Sequence, residues 1–134
     1  MEDFIAGVAA FLAYFAGATA LSVIFGAIYL RLTPHHELDL VARQHNASAA
    51  LALGGTIVGY SIALAGAIHN TRSAPEFVVW ALLAIVPQLV ALALARLAYP
   101  GLSKAIEQNA LAAATWQASI SIAAGIVSAA CMGP

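Results

Sequence analysis

Apolar residues fill four long stretches of this chain, and short polar segments separate them. The first runs from about Phe4 to Leu30 without a charged residue, the second from about Ala47 to Ile68. The third runs from about Phe77 to Ala95 and the fourth from about Ala110 to Met132. A helix needs about 20 apolar residues to cross the hydrocarbon core of a bilayer. Apolar positions occur all round each stretch, as for helices facing lipid and one another. The alternation of a membrane β-barrel is absent from the pattern. The expected fold is therefore an all-α membrane protein with four transmembrane helices. The polar connections also carry helical spacing. Glu37 to His45 predicts a short helix along the membrane surface, with Asp39 and Arg43 paired at i,i+4 and Leu38 and Val41 dipping toward lipid. Ser103 to Gln108 predicts a shorter one.

The chain repeats a phrase. QHNASAA at 44–50 and EQNALAA at 107–113 place Asn46 and Asn109 63 residues apart (109 − 46 = 63). Upstream, Leu30-Arg31-Leu32 parallels Ala95-Arg96-Leu97, and Pro34 parallels Pro100. The simplest account is one integral membrane domain, 1–134, made of two tandem hairpin repeats, about 4–70 and about 76–132. Two spans per copy return the chain to its starting side, so the copies are parallel. Both Asn46 and Asn109 stand where a new helix needs an acceptor for its free N–H groups, so both are expected to be N-caps, the alternative being a polar ring at a cytoplasmic mouth.

Composition agrees: 63% of the 134 residues are hydrophobic and 8% charged, with mean hydropathy +0.91. The net charge of −1 excludes the basic footprint of a nucleic-acid binder. Of the five Lys and Arg residues, Arg31, Arg43, Arg96 and Lys104 fall in connections one and three. These share a side, and an excess of positive charge marks the cytoplasm, which predicts an N-out/C-out topology. The acidic start Met1-Glu2-Asp3 does not suit a cleaved signal peptide. Trp80 fits the outer interface; Tyr29 and Tyr99 fit the inner one.

No charge lies in the middle of a span, which weighs against a charge-coupled carrier. Neutral polar residues lie there instead. Gln88 follows Pro87 at the centre of the third stretch, where the proline is expected to kink the helix and free a carbonyl near Leu83. The fourth stretch holds Thr115, Gln117 and Ser121, expected to share a face. Such residues either bond packed helices together or line a polar pathway. Thr56, Tyr60 and Ser61 add a polar patch in the second stretch. Gly55 and Gly59 form a GxxxG, expected to pack two helices closely, either within the protomer or between protomers. His35, His36, Glu37, Asp39 and His45 lack a metal-ligand spacing and predict a solvated loop. Cys131 has no cysteine partner. No nucleophile–base pair or phosphate loop is evident, so neither an enzyme nor a cofactor is expected.

Three segments carry a family resemblance: LTPHHELDLVARQHNASAALALGGTIVGYSIALAGAI, VPQLVALALARLAYPGLSKAIEQNALAAA and IAAGIVSAACM. Over nearly the whole chain the sequence resembles the YjfL-like bacterial inner-membrane proteins, domain of unknown function 350. The resemblance implies a small four-helix inner-membrane protein and, through its genomic neighbours, a link to envelope stress or polyamines. It carries no catalytic motif. The leading expectation is a homo-oligomer in the lipid bilayer that passes a small ion or solute along Gln88, Thr115, Gln117 and Ser121. One bundle is too small for a wide water path, so self-association is implied. The alternative is a membrane anchor that recruits a cytoplasmic envelope-stress protein through segments 33–45 and 99–108, with Arg43 and Lys104 as contacts.

Overall fold

The computed structural model describes residues 1–33 and 36–132. Pro34 and His35, invoked above in the repeat and in the polar loop, lie outside the described residues. The described chain is helical throughout. The elements are α1 (Glu2–Leu32), α2 (Glu37–Ala42), α3 (Ala47–Asn70), α4 (Ala74–Leu83), α5 (Ile85–Ala98), α6 (Leu102–Glu107) and α7 (Leu111–Cys131). Four helices are long and apolar enough to cross a membrane: α1, α3, the α4–α5 pair and α7.

Local chemistry sets most of the boundaries. Arg31 lies in the last turn of α1, where a cation opposes the negative end of the helix dipole. Ser73 caps α4 by accepting the Glu76 N–H at 3.3 Å, and Glu76 reaches back to the Arg72 N–H at 3.1 Å. The third span breaks at Ala84, three residues before Pro87. Proline has no N–H to give the preceding turn. Tyr60 supports that turn by donating to the Ala81 carbonyl at 2.8 Å.

The two short helices form as the spacing suggests, over Glu37–Ala42 and Leu102–Glu107. Arg43 and Asp39 approach to 3.4 Å on an exposed surface, a pairing worth roughly 0.3–0.5 kcal/mol.

Packing centres on α3 against α7. A Cβ added at Gly55 would collide with the Ala118 side chain, and one at Gly125 would meet the Gly59 carbonyl group, 2.7 Å from its carbon. The GxxxG therefore closes a seam within the protomer, and Gly125 completes it from the facing helix. On one side of the molecule Leu21, Phe25, Tyr60, Ala63, Leu64, Phe77 and Ala81 form an apolar core. Phe25 and Tyr60 stack there with ring centroids 4.5 Å apart. On the other side Leu40, Ala49, Ala52, Ala95, Leu102, Ile106, Ala113 and Ala114 form a second core beneath the short helices. α1 stands apart: residues 1–13 are all exposed, and 31 residues make a rod of roughly 46 Å.

Candidate functional site

Between the two apolar cores runs a layer of buried polar side chains from five helices. Gln88, Gln117, Ser121, Thr56, Glu37 and Tyr29 are all buried. They form one hydrogen-bonded chain. Tyr29 donates its hydroxyl to Glu37 Oε1 at 2.9 Å. Gln117 Nε2 donates to the Tyr29 oxygen at 2.7 Å and to Thr56 Oγ1 at 3.3 Å. Thr56 passes its own proton to the Ala52 carbonyl at 2.7 Å. Ser121 Oγ donates to Gln88 Oε1 at 2.7 Å, and Gln88 Nε2 returns a bond to the Ser121 carbonyl at 3.3 Å. Ser121 Oγ also lies 3.4 Å from the Thr56 carbonyl. The chain thus joins the start of α2 to the middle of the third span. A buried polar group without a partner costs free energy, and these bonds offset that cost.

Three of the residues expected to line a pathway, Gln88, Gln117 and Ser121, come together here. Thr115 does not; it is exposed on the outer face of α7. Thr115 and Gln117 are two residues apart, about 200° round a helix of 3.6 residues per turn, so the expected common face excluded it. Gln117 and Ser121, four apart, do share one.

Two other residues depart from expectation. Glu37 was expected in a solvated loop, yet it is 1% exposed. The first turn of α2 folds it inward onto Tyr29, while His36 and His45 stay exposed. Tyr29 was expected at the membrane interface and is wholly buried as the bridge between Glu37 and Gln117. The tyrosine followed by a carboxylate eight residues on was the available signal. It is faint without knowing that the intervening turn folds back.

The repeated asparagines lie at one end of the α3–α7 pair. Asn46 is the N-cap of α3 and accepts the Ala49 N–H at 2.9 Å. Its amide also donates to the Ile106 and Glu107 carbonyls at 3.0 and 3.1 Å, closing the end of α6. Asn109 is not the cap of α7, a position held by Ala110. It adopts φ 61°, which Asn tolerates better than most residues, and its Oδ1 accepts the Ser48 N–H of α3 at 3.1 Å. Both asparagines therefore serve the start of α3, and together they tie α3 to the α6–α7 connection. Arg43 and Lys104 are exposed on the same end. Arg96 sends Nη1 and Nη2 to the Leu32 carbonyl, each at 3.3 Å, so the ends of α1 and α5 meet at one level.

The family model described as Domain of Unknown Function (DUF350) matches residues 3–132. The UPF0719 inner membrane protein YjfL of Escherichia coli strain K12 is 41% identical over 123 residues, which is 92% of this chain and 92% of that protein. The protein of the same name from Escherichia coli O157:H7 matches equally. No solved structure matches the chain.

Proposed function

The chain belongs to the DUF350 family and is a multi-pass protein of the inner membrane, and from that premise we propose that it passes a small cation along the polar layer as a homo-oligomer. The observation that supports this is the hydrogen-bonded chain from Glu37 through Tyr29 and Gln117 to Ser121 and Gln88. An ionisable group drawn into the body of a membrane protein is costly to keep there, and such groups usually mark ion paths. The carboxyl group at one end favours a cation over an anion. Gln117 and Gln88 are bonded to their neighbours, so passage requires them to exchange partners with the ion.

The topology that goes with this is N-out/C-out, with α2 and α6 on the cytoplasmic face. The order long helix, six-residue helix, long helix occurs twice, which supports two tandem parallel hairpins over about 4–70 and 76–132. Gln88→Leu replaces the amide by an apolar wall at the end of the chain. Potassium flux into liposomes holding purified protein should fall at least about ten-fold, since one buried amide contact to a charge is worth roughly 1.5–3 kcal/mol. Unchanged flux from correctly assembled variant would overturn the assignment.

A second reading is favoured by the shape of the same end. α2 and α6 form an ordered face on which Arg43 shows 85% of its side chain and Lys104 is exposed. That face suits an acidic cytoplasmic protein. The Arg43→Glu and Lys104→Glu pair should then abolish capture of that protein from membranes, and capture of the same partners by both forms would sink this reading.

A further inference from the structure

We propose that the groove between the end of α5 and α6 binds the phosphate of an anionic phospholipid. Arg96, Gly101, Leu102, Ser103, Lys104 and Glu107 line it, around a volume of about 470 Å³. Its depth is set by Arg96. The apolar stretches of α1 and α5 stop at Arg31 and Arg96, and the bonds from Arg96 to the Leu32 carbonyl put both stops at one level. Headgroups begin where hydrocarbon ends, so the groove opens at headgroup depth. Leu94 and Leu97, 56% and 77% exposed on α5, flank Arg96 in the chain and present apolar surface to the hydrocarbon.

The polar chemistry fits a phosphate diester. The groove carries two cations against the single carboxylate of Glu107. A guanidinium presents five N–H donors in a fork that matches phosphate oxygens, and a lysine adds a mobile point charge. Arg96 is only lightly engaged by protein. Its two Nη atoms share one carbonyl at 3.3 Å, and its Nε is buried with no partner among the described residues. Ser103 supplies a hydroxyl donor at the rim. Among the described residues, the groove beside α2 has no such surplus. There Arg43 faces Asp39 at 3.4 Å, and Glu37 lines the same hollow. Position and charge thus single out the α5–α6 groove, and the ligand is a lipid because the groove lies where the apolar stretch of α5 ends.

Trp116 provides the probe. Its indole N–H donates to the Ala95 carbonyl at 3.1 Å, next to Arg96 in the chain. In the full chain with Trp80→Phe, Trp116 is the remaining tryptophan, and lipids brominated high on the acyl chain quench its emission on contact. Brominated phosphatidylglycerol should quench at several-fold lower mole fraction than brominated phosphatidylcholine. A basic residue near a membrane surface contributes enough that Lys104→Gln should weaken the preference about five-fold. Glu107→Gln should strengthen it, and Arg43→Gln should leave it unchanged. Arg96→Gln should weaken it similarly; because Arg96 also holds α1, the exposed Lys104 and Glu107 variants carry the test. Equal quenching by both lipids, or a preference that Lys104→Gln leaves intact, overturns the site. Loss of the preference on adding millimolar inorganic phosphate would assign the groove to a soluble anion and refute the lipid.

Discussion

Gly125→Val should leave the protein unable to hold its fold in detergent. A Cβ at 125 would meet the Gly59 carbonyl group on the facing helix, and backbone cannot swing aside as a side chain can. Relief requires α3 and α7 to separate, and this pair forms the centre of the bundle. Overpacking a well-packed core typically costs about 1–3 kcal/mol when side chains can adjust. Here they cannot, so a loss above about 3 kcal/mol is expected, a large part of the roughly 5–15 kcal/mol that holds a typical protein together. The folded fraction measured against added denaturing detergent should drop accordingly. Separating the helices would also pull Gln117 and Ser121 from Thr56. Gly54→Ala is the control. Gly54 is on α3 with nothing within 4 Å of an added Cβ, and the change should be neutral or slightly stabilising. Equal behaviour of the two variants would mean that the helices do not meet at Gly59 and Gly125.

The second large effect is expected at Tyr29. Its hydroxyl donates to Glu37 and accepts from Gln117, so Tyr29→Phe removes two bonds of the polar layer at once. Hydrogen bonds to charged groups contribute roughly 1.5–3 kcal/mol and neutral ones about 1 kcal/mol. A loss near 2–4 kcal/mol should appear in the same titration. A double-mutant cycle with Glu37→Gln separates the pair from the rest: the two changes should couple by about 1–2 kcal/mol, so that the double variant is less damaged than the sum. Additive losses would show that Tyr29 and Glu37 are neighbours without an energetic bond. If the layer is also the ion path, Tyr29→Phe should lower flux even where enough folded protein remains to measure it.

The spans were legible because charge is expensive in lipid, and Arg31, Arg72 and Arg96 mark where the first three stretches must end. The break at Ala84 was legible through Pro87, since the missing N–H is a local fact. Asn46 was legible for the same reason. Glu37 was not, because its surroundings in sequence are His36, Asp39 and Arg43, a composition that suits water. Its burial depends on Tyr29, whose own place depends on Gln117, 88 residues further on. Asn109 shows a different limit. The matching phrases align it with Asn46 at 63 residues, but the buried stripes of α3 and α7 coincide at 65. Ala49 with Ala114, Ala52 with Gln117, Thr56 with Ser121, Tyr60 with Gly125 and Ala63 with Ser128 are all buried pairs at that offset. The phrase and the helix faces are out of step by two residues, which suffices to move an asparagine from one helix end to another.

The bonds between Asn109 and Ser48, and between Asn46 and Ile106, also order events during synthesis. The first turn of α3 emerges with its Ser48 N–H unserved, and its partner is 61 residues away. At roughly 5–20 residues per second that interval is about 3–12 s. Throughout it, α3 sits in the membrane with its glycine seam bare to lipid and its first turn half capped. The α1–α3 hairpin is thus a waiting template, and the molecule becomes whole only when α7 arrives.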